Sequence, residues 1–114
     1  MADGRRRFGA EGEDQAAAWY RANGYEVLAR NWRCRDGELD LVVGKGATLV
    51  FAEVKRRRTD RFGIPAEAVT RTKQVRLRRL ALRYLQETGT RAAELRFDVV
   101  AILGADLEVI QAAF

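Results

Sequence analysis

The sequence predicts an α/β fold: a five-stranded mixed β-sheet flanked by two main helices, in the order α-β-β-β-α-β-β. Three observations predict it. A helix-period stretch over residues 8–23 ends at Asn23-Gly24, where glycine suits the left-handed C-terminal position. Three apolar runs of strand length follow, parted by the turn residues Cys34-Arg35-Asp36-Gly37 and by Lys45-Gly46-Ala47-Thr48. A long basic helical stretch then separates the third run from two more strands, which allows a parallel, right-handed crossover.

In the first helix, Glu13, Ala16, Ala17 and Tyr20 fall at i, i+3, i+4 and i+7 and share one face. Glu13 is therefore aimed at the sheet. Gly9 and Gly12 weaken this helix by up to ~1 kcal/mol each relative to alanine, and they permit close backbone approach. Residues 1–7, with Arg5, Arg6 and Arg7, are read as a basic N-terminal arm, and residues 8–114 as one domain. The first strand spans Tyr25–Arg33, with Tyr25, Val27 and Ala29 alternating against Glu26, Leu28 and Arg30. The hairpin of residues 38–44 and 49–56 comes next.

After a polar loop over residues 59–63, Pro65 is read as opening the second helix, in the first turn where proline loses no intrahelical bond. The helix runs to about Glu87 and stops at Thr88-Gly89. Val69, Lys73, Leu77, Leu80 and Tyr84 form its apolar stripe, with Lys73 the anomaly. The last strands are Glu94–Leu103 and Leu107–Ala112, parted by Gly104-Ala105-Asp106. Asp98, an acid inside an apolar strand, is read as structural, paired with an arginine.

Composition narrows the function. Of 114 residues, 47% are hydrophobic and 32% charged, a globular balance. The net charge is +5 at pH 7, which favours a polyanionic partner. Arg71, Arg76, Arg78, Arg79 and Arg83 follow one another with no acid between Glu67 and Glu87, whereas a solvated helix face usually mixes signs. With no histidine, His-based general bases, His-metal nucleases and the usual serine or cysteine triads are excluded. The single cysteine, Cys34, supports neither an internal disulfide nor a thiolate metal site, and a reduced cytosol fits it. The basic segment Met1–Phe8 is followed by no apolar run, so it is not a signal peptide, and no apolar stretch is long enough to span a membrane. A cytoplasmic location is expected.

The hairpin carries the chemistry. Asp40 interrupts Leu39 and Leu41, and Glu53 and Lys55 flank Val54, where a hairpin should be most apolar. Strand alternation puts Leu49, Phe51, Glu53 and Lys55 on one face and Val50, Ala52 and Val54 on the other. A four-residue loop over 45–48 pairs Gly44 with Leu49 and Asp40 with Glu53, whose Cβ atoms are then roughly 4.5–5.5 Å apart. A two-residue loop is read as making them diagonal neighbours, and an odd loop as separating them. Carboxylates so close repel each other, and a divalent cation resolves the conflict. Mg²⁺, or Mn²⁺, held by Asp40, Glu53 and the Val54 carbonyl, is the expected cofactor, with no organic cofactor. Lys55 lies beside the site, able to stabilise charge on phosphorus or to position water.

Asp40, twelve intervening residues and then Glu53-Val54-Lys55 resembles the PD-(D/E)XK nuclease superfamily. Together with Gly12-Glu13, Arg30-Asn31, Gly37-Glu38-Leu39-Asp40, Lys73 and Arg96-Phe97-Asp98-Val99-Val100, the pattern resembles the YraN family of predicted bacterial endonucleases, related to archaeal Holliday junction resolvases. Leu39 stands where proline precedes the acid in the superfamily's name.

The resemblance implies a restriction-endonuclease-like core in which residues 8–114 form a single nuclease-like domain. It implies Asp40 and Glu53 as metal ligands, Lys55 as the catalytic lysine, Glu13 as the helix-borne acid completing the site, and Lys73 as a phosphate-facing helper. The expected activity is Mg²⁺-dependent hydrolysis of DNA phosphodiester bonds, on branched or single-strand-containing DNA in repair or recombination. The alternative is a weakly active or inactive nucleic-acid-binding module of the same fold. Arg56, Arg57, Arg58, Arg61, Lys73 and Arg76 are the expected DNA contacts, and a homodimer is the assembly implied by the related resolvases.

Overall fold

The computed structural model describes the backbone of residues 3–57 and 69–114, and the side chains of residues 11–56 and 69–114. The element order is α1 (Asp3–Ala22), β1 (Glu26–Cys34), β2 (Gly37–Lys45), β3 (Thr48–Arg57), α2 (Arg71–Thr88), β4 (Glu94–Leu103) and β5 (Asp106–Ile110). The strands form one sheet in sequence order. All neighbours are antiparallel except β3 and β4, which run parallel. The predicted α/β class, mixed sheet and order are those observed.

Two core clusters, one on each face, follow strand alternation. Val42, Leu49, Phe51, Phe97 and Val99 pack with Leu77, Leu80, Ala81 and Tyr84 of α2. Leu41, Val43, Val50, Ala52, Val100 and Ile102 pack with Ala16, Ala17 and Tyr20 of α1. The predicted inner face of α1 is the buried one: Ala16, Ala17 and Tyr20 are fully covered. Gly12 lets this helix sit close to the sheet, because a Cβ there would lie 3.3 Å from Arg56 Cδ and 3.6 Å from Val54 Cγ1.

Three boundaries differ from the sequence reading. First, α1 begins at Asp3, so most of the segment read as an arm is helical. Second, α2 begins at Arg71, not near Pro65, which lies outside the described residues. Thr70 is its N-cap: the backbone there is extended, and the hydroxyl accepts the Lys73 N–H at 3.2 Å. Val69 is still buried against the α2 core, although it precedes the helix. Third, β5 is shorter than expected, ending at Ile110.

The β2–β3 turn resolves the register. Its loop is Gly46-Ala47, with Gly46 in the left-handed region (φ 59°) and Lys45 paired with Thr48. The pairs Gly44↔Leu49 and Val43↔Val50 are nonetheless those expected of a four-residue loop. Shortening the loop from four residues to two adds one pair at its base and shifts nothing, so the expectation of diagonal neighbours for a two-residue loop is corrected. The last ladder pair, Leu41↔Ala52, places Asp40 and Glu53 next in line on facing strands.

Candidate active site

Regular pairing breaks down on both sides of Asp40. In β1 the register slips between Val27 and Ala29, and the predicted alternation fails there: Val27 packs towards α1, whereas Ala29 packs towards α2. Arg30 and Trp32 pair with Leu41 and Leu39, but the intervening Asn31 and Asp40 do not appear in the ladder. Asn31 has φ 52°, unusual for a residue with a side chain and better tolerated by asparagine than by most. On β2, Leu39 packs towards α2 and Leu41 towards α1, so alternation slips at Asp40 as well.

Side-chain bonds replace the missing ladder. Asp40 Oδ2 accepts the Val54 N–H at 2.9 Å, which fixes the carboxylate against β3 and engages one of its two oxygens. A strand residue's N–H and C=O point to the same neighbour, so the Val54 carbonyl also faces β2. Glu53, buried beneath α2, takes two ammonium groups on Oε1: Lys73 at 2.7 Å and Lys55 at 3.4 Å. Glu13, half-buried on α1, accepts the Asn31 side-chain amide. The neighbouring Arg30–Asp14 ion pair ties the same turn of α1 to β1.

The electrostatics match that crowding. Burial pushes the Asp40 carboxyl up to about 7, and the negative charges of Glu53, Glu13 and Glu38 add to the shift against the Val54 hydrogen bond. Lys55 is lowered, first by burial and then by the adjacent Lys73 ammonium. Burial is the largest influence on Lys73 and works to lower it, but the bonds to Glu53 and Lys55 and the negative charges of Glu53 and Asp40 together outweigh it, and the net shift is upward.

The residue types suit a hard divalent cation. Asp40, Glu53 and the Val54 carbonyl are oxygen donors, and the raised Asp40 carboxyl marks a place where another positive charge is favourable. Among the described residues, no three Asp, Glu or Cys side chains converge into a ready metal cage. Magnesium needs only one or two carboxylates alongside water and phosphate oxygens, so two suffice. In the arrangement seen, the Lys73 ammonium is the cation nearest Glu53.

The structure thus gathers Glu13, Asp40, Glu53, Val54, Lys55 and Lys73 at one end of the hairpin. Arg56 lies on the other face, beneath Gly12, with its guanidinium 2.9 Å from Glu11. Arg57 ends β3, and its side chain lies outside the described residues, as do Arg58 and Arg61. Arg76 sits on a flank of α2, its stem near Gly37. Asn31 is the residue that strand periodicity hid. The Arg30-Asn31 pair belongs to the motif that carries the family resemblance, but strand alternation alone gives Asn31 no role in the site.

Asp98 is separate and structural, as expected. It is 1% exposed and accepts Tyr20 Oη at 2.7 Å, Arg96 Nε and Nη2 at 2.9 Å each, and the Ala112 N–H at 3.0 Å. Burial and this bond hold the Tyr20 phenol well above its usual range.

No helix among the described residues is long and apolar enough to cross a membrane. Residues 12–102 match the model of uncharacterised protein family UPF0102. A UPF0102 protein of Beutenbergia cavernae is 60% identical over 96 residues, covering 84% of this chain and 81% of the relative. One from Nocardia farcinica is 54% identical, covering 84% and 76% respectively. One from Desulfosudis oleivorans is 40% identical and covers 100% of this chain and 94% of its own. The matched segment includes Glu13, Asp40, Glu53, Lys55 and Lys73, and the chain belongs to the UPF0102 family.

Proposed function

We propose that this protein is a metal-dependent endonuclease that hydrolyses DNA phosphodiester bonds, with the restriction-endonuclease-like core that its resemblance to the YraN and PD-(D/E)XK nucleases implies. The observation that carries this reading is the Asp40–Glu53 neighbourhood. Two carboxylates stand side by side on paired strands, one with its proton affinity raised to about 7, and a lysine with lowered proton affinity lies next to them. A fold gains no stability from crowding acids in this way; a site for a cation and a phosphate does.

Asp40, Glu53 and the Val54 carbonyl would hold Mg²⁺ or Mn²⁺. When bound, the ion would neutralise phosphate charge and acidify a water. Asp40 is held on target by the Val54 N–H, and Glu53 by the Lys73 ammonium from α2. Lys55 can orient the attacking water or offset charge on the phosphoryl oxygens, and its lowered proton affinity eases proton exchange. The water oxygen bonds to phosphorus as the phosphorus–O3′ bond breaks. The 3′ oxygen gains a proton, leaving a 5′ phosphate and a 3′ hydroxyl.

Cleavage of duplex, flap, single-stranded and four-way-junction DNA in Mg²⁺, Mn²⁺ or EDTA tests this. The wild type should cut with metal. Asp40→Asn and Glu53→Gln should lose cutting by at least about 10²-fold while still binding DNA. One observation favours a second reading, a weakly active or inactive DNA-binding module: both lysines rest on Glu53 Oε1, so the carboxylate is already neutralised. Binding without cutting in either metal supports that reading.

A further inference from the structure

We propose that a groove along one flank of α2, floored by Arg71, Thr72, Val75, Arg76 and Arg79 and walled by the β1–β2 turn, carries the phosphate backbone of a nucleic-acid strand away from the active site. The proposal rests on the nuclease reading for the direction of the strand, but not for the binding itself. The groove is open and about 520 Å³ in volume.

Helix geometry creates the row. Positions 71, 75 and 79 repeat every four residues, and 72 and 76 lie beside them on the same flank. The core stripe of Lys73, Leu77, Leu80 and Tyr84 points elsewhere, into the sheet. Arg78, close to Arg71 around the helix, does not line the groove; its guanidinium lies 4.8 Å from the Phe97 ring centroid. The turn wall comes close because residue 37 is glycine at φ 145°: a Cβ there would sit 3.3 Å from Leu80 Cδ1.

Charge and length select the occupant. Among the described residues, Arg71, Arg76 and Arg79 have no ion-pair partner. The one acid lining the groove, Asp36, already lies 3.4 Å from Arg83 Nη1. From Arg71 to Arg79 the helix rises about 12 Å. That is the axial rise of three to four nucleotides, at about 3.4 Å each, so the row fits a strand better than a lone phosphate. Val75, half-exposed between the arginines, offers sugar an apolar contact. The groove begins at the helical turn bearing Lys73, whose ammonium touches Glu53, so a strand lying in it enters or leaves at the site.

The test is the salt dependence of DNA binding by the full chain, read by fluorescence anisotropy in EDTA. Arg71→Ala/Arg79→Ala removes two groove cations. Arg21→Ala/Arg91→Ala removes equal charge at the far end of the molecule. The groove variant should flatten the slope of log K against log salt by about 1.4 on single strands or about 1.8 on duplex, and weaken binding roughly tenfold at moderate salt. The control variant should change neither. Equal slopes in the two variants, or no change in the groove variant, overturn the proposal. Urea melts of both variants show whether they are folded, and Arg71→Gln/Arg79→Gln repeats the test should the alanine pair unfold. Metal-dependent cutting by the wild type separates the two claims. A flattened slope without cutting leaves the groove standing and sinks the nuclease reading; cutting with an unflattened slope does the reverse.

Discussion

Asp98 and Asp40 are both aspartates in the interior of one sheet, and they are held in opposite ways. Asp98 faces α1 and meets four hydrogen bonds, two from a single guanidinium. Asp40 has one backbone N–H, and its electrostatic surroundings are dominated by Glu53, Glu13 and Glu38. The first arrangement is complete without any ligand. The second is not, because burial and like charge both oppose its ionised form. An acid's place in a strand therefore says little about its role, whereas the sign of its neighbours says a great deal.

The largest effect should come from breaking the complete site. Asp98→Ala strands a largely buried Arg96 and the Tyr20 hydroxyl, and should cost about 3–5 kcal/mol in urea denaturation. Asp40→Asn should do the opposite in the metal-free protein. The folded state holds this proton up to about pH 7, while the unfolded chain releases it near the ordinary 3.8. Ionisation therefore penalises the fold progressively as pH rises between those values. The variant should gain nothing below about pH 4, gain increasingly from pH 4 to 7, and hold a plateau on the order of 4 kcal/mol at pH 8. A destabilised Asp40→Asn at pH 8 would mean the two sites are alike after all.

Smaller changes sharpen the contrast. Asn31→Ala should be about 1 kcal/mol less stable than Asn31→Gly, since only glycine accepts φ 52° without strain. Both should lose the hold on Glu13, so a kcat that falls equally in both would mark the amide, not the backbone, as the part that matters for cutting. Lys73→Met removes the ammonium from Glu53 Oε1 and should tighten Mn²⁺ binding by a few-fold in calorimetric titration, about 0.5–1 kcal/mol. Weaker binding would instead show that Lys73 holds Glu53 in place.

How much of this was legible in the sequence depends on the regularity of the backbone. Element order followed from hydrophobic period, and the faces of β3 followed from strict alternation, so Glu53 and Lys55 were placed correctly. The start of α2 was misread because Pro65 looked like an opening signal, while the true cap, Thr70, bonds a backbone N–H three residues on. Asn31 was visible only as part of a motif; its left-handed backbone and its bond to Glu13 were not legible, since they and the slip in β1 go with pairing to β2 and docking of α1, both long-range. Asp40 fell between these cases: its position opposite Glu53 followed from counting, but its bond to the Val54 N–H needed the structure.

The central claim is that the end of the β2–β3 hairpin is built for a cation. Calorimetric titration of Mn²⁺ into the wild type, Asp40→Asn, Glu53→Gln and Asp98→Asn at pH 8 tests it most directly. The account predicts saturable binding to the wild type, retained by whatever Asp98→Asn protein is folded and lost from Asp40→Asn and Glu53→Gln. Wild-type protein that binds no Mn²⁺, or binds it equally well without Asp40 and Glu53, would contradict it.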